Sequence, residues 1–149
     1  MLEIANQLSE DGEYFQALKW YENILQLETT NIEAIIDYGV TLQNMELYHQ
    51  ALAAYDQALS LQPKNISALI NRGSVLHTLG KYTDAIICYD TVSCIDKSNP
   101  VALVYKGLCI AEIGNIQLAI KYFKKALSID SQYELAKVSI DTAKYIMKP

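Results

Sequence analysis

Residues 38–58 read YGVTLQNMELYHQALAAYDQA, and Gly39, Ala51, Tyr55 and Ala58 within them mark a period that runs through the whole chain. The glycine returns 34 residues later at Gly73 and again at Gly107, with Ala5 one stride upstream. The alanine keeps the step at Ala17, Ala51, Ala85 and Ala119, the aromatic at Tyr21, Tyr55, Tyr89 and Phe123, and the third mark at Ile24, Ala58, Val92 and Ala126. Four copies in register without an insertion define a repeat array. Each unit of such an array is too small to bury its own apolar face and must stack on its neighbours.

Local signals give each copy two helices. Asn31, Asn65 and Asn99 share one place in the stride, where an asparagine side chain can accept from the first free backbone N–H groups of a helix. Pro100 follows Asn99, and its fixed φ suits the first helical turn. Gly12, Gly80 and Gly114 share a second place, where a helix ends in the left-handed conformation. Glu46 holds that place in the second copy, which predicts either a strain of about 1 kcal/mol or more, or a reshaped turn. The spacing of Tyr55, Leu59, Tyr89 and Phe123 assigns them to the core between helix pairs. In residues 134–148, Lys137, Asp141, Lys144 and Lys148 form a polar stripe and Ala136, Ile140, Ala143 and Met147 an apolar one, the pattern of a closing helix with one wet face.

This helix-turn-helix period resembles the tetratricopeptide repeat family. The first-helix signature stands as Tyr38-Gly39 with Leu42, Arg72-Gly73 with Leu76, and Lys106-Gly107 with Ile110. The closing proline is present only at Pro63, with Thr29, Lys97 and Ser131 in the other copies, and the family tryptophan is replaced by Ile35, Leu69 and Leu103. The resemblance implies an all-α fold, a right-handed superhelical solenoid of antiparallel helix pairs with about nine helices. It divides the chain into repeats 1–31, 32–65, 66–99 and 100–133 and a capping helix 134–149.

The same resemblance implies that the first helix of each pair lines a concave groove that holds a protein or peptide partner. The groove positions are then Asn6 in the first repeat, Ile36, Asp37, Val40 and Gln43 in the second, Ile70, Asn71, Ser74 and His77 in the third, and Val104, Tyr105 and Leu108 in the fourth. Ile36, Val40, Ile70, Val104, Tyr105 and Leu108 make an apolar stripe, which is either a partner surface or half covered by neighbouring helices. The best-known subclass grips the carboxylate of chaperone tails with five lysine, asparagine and arginine side chains. Here the five places hold Leu2, Asn6, Asp37, Ser67 and Asn71, or in the next frame Ile36, Val40, Asn71, Val101 and Tyr105. With one match in each frame and no cation, a chaperone-tail clamp is not expected.

Composition narrows the functions further. Hydrophobic residues make up 51% of the 149 and charged ones 19%, which suits one folded domain. There is no long apolar run and no basic start typical of a signal peptide, so a cytoplasmic protein without a membrane partner is expected. Cys88, Cys94 and Cys109 lack metal-ligand spacing and read as reduced packing residues. No phosphate-cradling glycine loop, nucleophile–base arrangement or paired metal motif is present, so neither catalysis nor a cofactor is expected. His77 has no second ligand evident for a metal or pH role.

The net charge of −5 conceals a division. Residues 1–63 carry ten acids and one base, Lys19, for −9, whereas residues 64–149 carry seven acids and eleven bases, for +4. Such a field can steer a partner or favour a homo-oligomer stacked head to tail. The overall sign and the scattered bases, Lys121, Lys124 and Lys125 among them, argue against nucleic acid.

Overall fold

A computed structural model describes residues 1–149. Its nine helices are α1 (Leu2–Glu10), α2 (Tyr14–Leu27), α3 (Ile32–Asn44), α4 (Tyr48–Leu61), α5 (Ile66–Thr78), α6 (Tyr82–Ile95), α7 (Pro100–Glu112), α8 (Ile116–Ile129) and α9 (Glu134–Ile146). No strand is present. Two compact units, Met1–Val75 and Leu76–Pro149, divide within α5. In the first, each of α1 to α4 packs on its chain neighbour and α1 also touches α3; in the second, α6 to α9 do the same and α7 touches α9.

The helix ends follow the expected chemistry. Asn31, Asn65 and Asn99 accept from the backbone N–H groups of Ala34, Ala68 and Ala102 at 3.0, 2.9 and 3.1 Å. Asn115 caps α8 in the same way, accepting from Leu118 at 3.1 Å. At α9 Tyr133 stands where the asparagine would be, and no side chain caps that helix.

All four turns inside the helix pairs close alike. The N–H groups of Glu13, Leu47, Lys81 and Asn115 reach back to the carbonyls of Leu8, Leu42, Leu76 and Ile110 at 2.8, 2.9, 2.8 and 3.1 Å. This six-to-one bond requires a left-handed residue just before the donor. Gly12, Gly80 and Gly114 supply it with φ of 81, 73 and 105°, and Glu46 is forced into it at 61°. The turn of the second pair is therefore strained rather than reshaped. A left-handed non-glycine residue costs about 1–2 kcal/mol, from which glycine's greater loss of backbone freedom must be subtracted. Glu46→Gly is thus expected to raise stability by about 0.5–1 kcal/mol, read as an upward shift of the denaturation midpoint at unchanged slope.

The repeated glycine answers to the repeated aromatic ring. A Cβ built on Gly39 would lie 2.7 Å from Cε1 of Tyr55, and one on Gly107 would lie 2.5 Å from Cε1 of Phe123. Tyr55 is fully buried and Phe123 is 1% exposed, so neither ring can retreat cheaply in a close-packed interior. Ala17, Ala51, Ala85 and Ala119 are all fully buried, which agrees with their place at close helix crossings.

A second series ties adjacent pairs together sixteen residues apart. The Tyr38 hydroxyl lies 3.5 Å from Glu22, Arg72 pairs with Asp56 at 2.7 Å, and Lys106 pairs with Asp90 at 2.5 Å. Lys106 also sits 4.7 Å from the ring centre of Tyr122. The next stride would pair Lys124 with Ile140 and the series stops; Ile140 is buried instead, packed with Leu103 and Phe123.

Three expectations need correction. Val104 is fully buried and Ile36 is 7% exposed, so both belong to the core and not to an exposed stripe; neighbouring helices cover them. Cys88 and Cys109 are buried but Cys94 is exposed near the end of α6, so it does no packing. Met147 lies beyond α9 and is exposed, and so are Val138, Tyr145 and Ile146.

Candidate protein-binding face

The odd-numbered helices carry the expected partner-facing positions, and their exposure falls into classes set by the stride. Asn6, Val40, Ser74 and Leu108 form one class and are all half-buried. Ser9, Gln43, His77 and Ala111 form a second, again all half-buried. Asp37, Asn71 and Tyr105 are half-buried members of a third, and Ile70 is half-buried where Ile36 and Val104 of its class are not.

In the first unit the face is a polar network. The Tyr21 hydroxyl donates to Asn6 Oδ1 at 2.6 Å, and Ser9 and Thr41 hydroxyls meet at 2.8 Å. Thr41 is fully buried and donates to the Asp37 carbonyl at 2.9 Å. The Tyr55 hydroxyl donates to Gln43 Oε1 at 3.0 Å, and Gln43 Nε2 donates to Ser74 at 3.4 Å. Burial pushes the Tyr21 hydroxyl up to about 12, which keeps it a donor at any physiological pH. Burial also raises the Asp37 carboxyl above the ordinary carboxylate range, against a hydrogen bond from Asn6.

Two hollows open on this face. Asn6, Ser9, Glu10, Tyr21, Asp37, Val40 and Asn44 line one of about 220 Å³. Ile32, Glu33, Ile36, Asp37, Gln62, Asn65 and Ser67 line another of about 350 Å³, so Asp37 is a wall of both.

In the second unit the face is aromatic. Tyr105 stacks on Tyr89 with ring centres 5.7 Å apart and planes 19° apart, and His77 lies against Tyr82 at 5.4 Å. Leu108 packs at the edge of the core formed by Leu103, Val104 and Phe123. Burial raises the Cys109 thiol to about 11, so it stays protonated beside the Tyr89 ring. The Tyr89 hydroxyl is buried without a hydrogen-bond partner.

That orphan sets a testable contrast within one stride. Removing the Tyr55 hydroxyl leaves the Gln43 amide oxygen without its donor, whereas removing the Tyr89 hydroxyl breaks nothing; Phe123 already lacks one in the fourth copy. Tyr55→Phe is expected to lose about 1 kcal/mol, and Tyr89→Phe to melt no lower than the parent. Equal losses in thermal melts of the two variants would show that the Tyr89 hydroxyl does have a partner.

The hydroxyl network was not anticipated from sequence, although its signal was there. An amide side chain stands fifteen residues before Tyr21 and twelve before Tyr55, on the first helix of the same pair.

Comparison with known proteins agrees with this architecture. A family model described as anaphase-promoting complex, cyclosome, subunit 3 matches residues 10–92, and a tetratricopeptide repeat model matches residues 106–133. The chain belongs to the tetratricopeptide repeat family. No curated protein matches the sequence significantly. Among solved structures, a MamA fragment from Desulfovibrio magneticus RS-1 superposes with a TM-score of 0.79 at 21% identity, over 96% of this chain and 86% of that one. A tetratricopeptide repeat protein from Parabacteroides merdae gives 0.83 at 22% identity, over 97% of this chain and 59% of that one. The Arabidopsis OM64 repeat domain gives 0.71 at 23% identity, over 76% and 94%. These similarities establish the fold as an all-α superhelical solenoid. Repeats of this family are protein-interaction scaffolds and are typically non-catalytic. No helix of the chain is long and apolar enough to cross a membrane.

Proposed function

We propose that this chain is a non-catalytic scaffold that presents the half-buried face of α1, α3, α5 and α7 to a peptide or helix of a partner protein. One observation carries the reading. The closest helix crossings repeat one residue at every stride, as with the alanines from Ala17 to Ala119, and the buried places that do vary, such as Thr41, Val75 and Cys109, stay small or medium in size. The half-buried places change character instead: one class runs Asn6, Val40, Ser74, Leu108 and another Ser9, Gln43, His77, Ala111. We read the changing polar and apolar side chains at these half-covered places as answering to a partner, since they lie on the face that neighbouring repeats leave open.

The domain reading follows the same residues: repeats 1–31, 32–65, 66–99 and 100–133, closed by the helix in 134–149. Asp141 falls where Gly39, Gly73 and Gly107 stand and is exposed. A ring of a further helix would have to displace it, and Lys137 and Lys144 flank the same place. A second reading, self-assembly of copies, is favoured by the opposite charge of residues 1–63 and 64–149.

The test is affinity capture with the native chain and with Val40→Glu/Leu108→Glu, after both are shown to be equally helical. Proteins retained by the native chain and lost by the variant support the face. Capture of the same proteins by both would place binding elsewhere, and capture of copies alone, weakened by salt, would favour self-assembly.

A further inference from the structure

The even-numbered helices carry two features that neither the packing nor the partner-facing positions use. The first is Phe15 of α2, 76% exposed. Its stride mates His49, Thr83 and Gln117 are polar and exposed as well, so the place is open to solvent in every copy and only the first sets an aromatic ring there. The ring stands beside the turn that joins α1 to α2, where Glu10, Asp11 and Glu13 are all exposed. None of these three enters an ion pair; Asp11 accepts from Gln7 and Glu13 from Gln16 instead.

The second is a hollow of about 260 Å³ on α8, lined by Leu118, Lys121, Tyr122 and Lys125. Their counterparts two strides earlier, Gln50, Ala53, Ala54 and Gln57, line part of a hollow of about 300 Å³, so the cavity belongs to the repeat and its chemistry to the copy. In the second copy the four places are small or neutral; in the fourth they are two apolar walls and two lysines. Leu118, 37% exposed, stands where the other copies carry Gln16, Gln50 and Asp84. The Tyr122 ring is held from one side by Lys106, 4.7 Å from its centre, and Lys106 is itself tied to Asp90, so the hollow is set before any ligand arrives. Lys121 and Lys125 are exposed and enter none of the ion pairs.

We infer that a second copy of the chain docks here: the turn of one copy places Phe15 in the α8 hollow of another, against Leu118 and Tyr122, with Asp11 and Glu13 facing Lys121 and Lys125. An exposed ring and an apolar hollow both lose water on meeting, the lysine stems extend the apolar wall, and the acids beside the ring meet the ammonium groups beside the hollow. The wider field has the same sense, −9 over residues 1–63 and +4 over residues 64–149, and steers the two patches together. Because the patches differ, the contact is heterologous and association runs head to tail. This rests on the self-assembly reading above and names its two contact patches; it uses none of the half-buried positions of the odd-numbered helices.

Sedimentation equilibrium of the full chain at rising concentration reads the association directly. The average mass is expected to climb with concentration and to fall back toward the monomer as salt is added. Phe15→Gln, which puts there the residue type of Gln117 in the fourth copy, should weaken association at least about tenfold while keeping the helical content and melting point of the parent. Asp11→Lys/Glu13→Lys and Lys121→Glu/Lys125→Glu should each stay monomeric alone, and mixing the two should restore association, since the turn of each then meets a hollow of opposite charge. All five positions are exposed, so the variants keep the fold. A native chain that stays monomeric at millimolar concentration would overturn both this inference and the self-assembly reading. Association that survives Phe15→Gln or either reversal, or reversed variants that fail to associate when mixed, would overturn the inference alone. Association lost only with Val40→Glu/Leu108→Glu would overturn it by moving the contact to the odd-numbered helices.

Discussion

Tyr55→Ala is expected to cost the protein about 3–5 kcal/mol, the range for truncating a large buried aromatic. The ring is fully buried and lies against Gly39, where a Cβ would stand 2.7 Å from its Cε1. Its hydroxyl donates to Gln43 at 3.0 Å, so the truncation also strands that amide. The hole cannot close by a shift of α3 alone, because Gly39 offers no side chain to fill it. Equilibrium denaturation in urea measures the loss; a value below about 1 kcal/mol would mean that the ring is not the filler of its helix pair.

Gly107→Ala carries the complementary expectation. Alanine favours a helix over glycine by about 1 kcal/mol, so an exposed site would gain. Here the new methyl would meet Phe123 at 2.5 and 2.9 Å and the Ala119 carbonyl at 3.3 Å. The backbone atom cannot yield, and the ring is walled in by the core around it. Overpacking of this kind costs about 1–3 kcal/mol, so a net loss is expected despite the better helix former. Phe123→Leu in the same chain should recover part of it, giving a coupling energy of about 0.5 kcal/mol or more in a double-mutant cycle. Gly107→Ala behaving as a gain would remove the physical reason for the glycine series.

These two substitutions show what was legible in the sequence and why. The stride of glycine, alanine and aromatic residues is a volume code: the glycine is small because the ring two turns into the next helix is large. Such a code is visible without coordinates, as are the asparagine caps, whose reach is only three residues. The boundary between core and face was not. Leu2, Ile36, Ile70 and Val104 share one place in the stride, yet Ile36 and Val104 are buried while Leu2 and Ile70 are half-buried. That difference is set by what the neighbouring helices place above each residue, which no period within one helix encodes. The hydroxyl network escaped for a related reason. A tyrosine and an amide fifteen or twelve residues apart are neighbours only once the turn between their helices is closed.

The charged pairs between successive helix pairs also went unread. Asp56 with Arg72 and Asp90 with Lys106 keep a spacing of sixteen residues and recur at the stride, a regularity that counting net charge per half averages away. The same averaging concealed the character of the first unit. Its negative charge is not spread evenly over outer faces, since Asp37 stands half-buried, takes a hydrogen bond from Asn6 and lines two hollows in which no lysine, arginine or histidine takes part.

The central claim is that the odd-numbered helices are the working surface. The measurement that tests it most directly is amide hydrogen exchange of the chain with and without whatever protein it captures. The account predicts new protection in α1, α3, α5 and α7, with α2, α4, α6 and α8 unchanged. Protection confined to the even-numbered helices would contradict it.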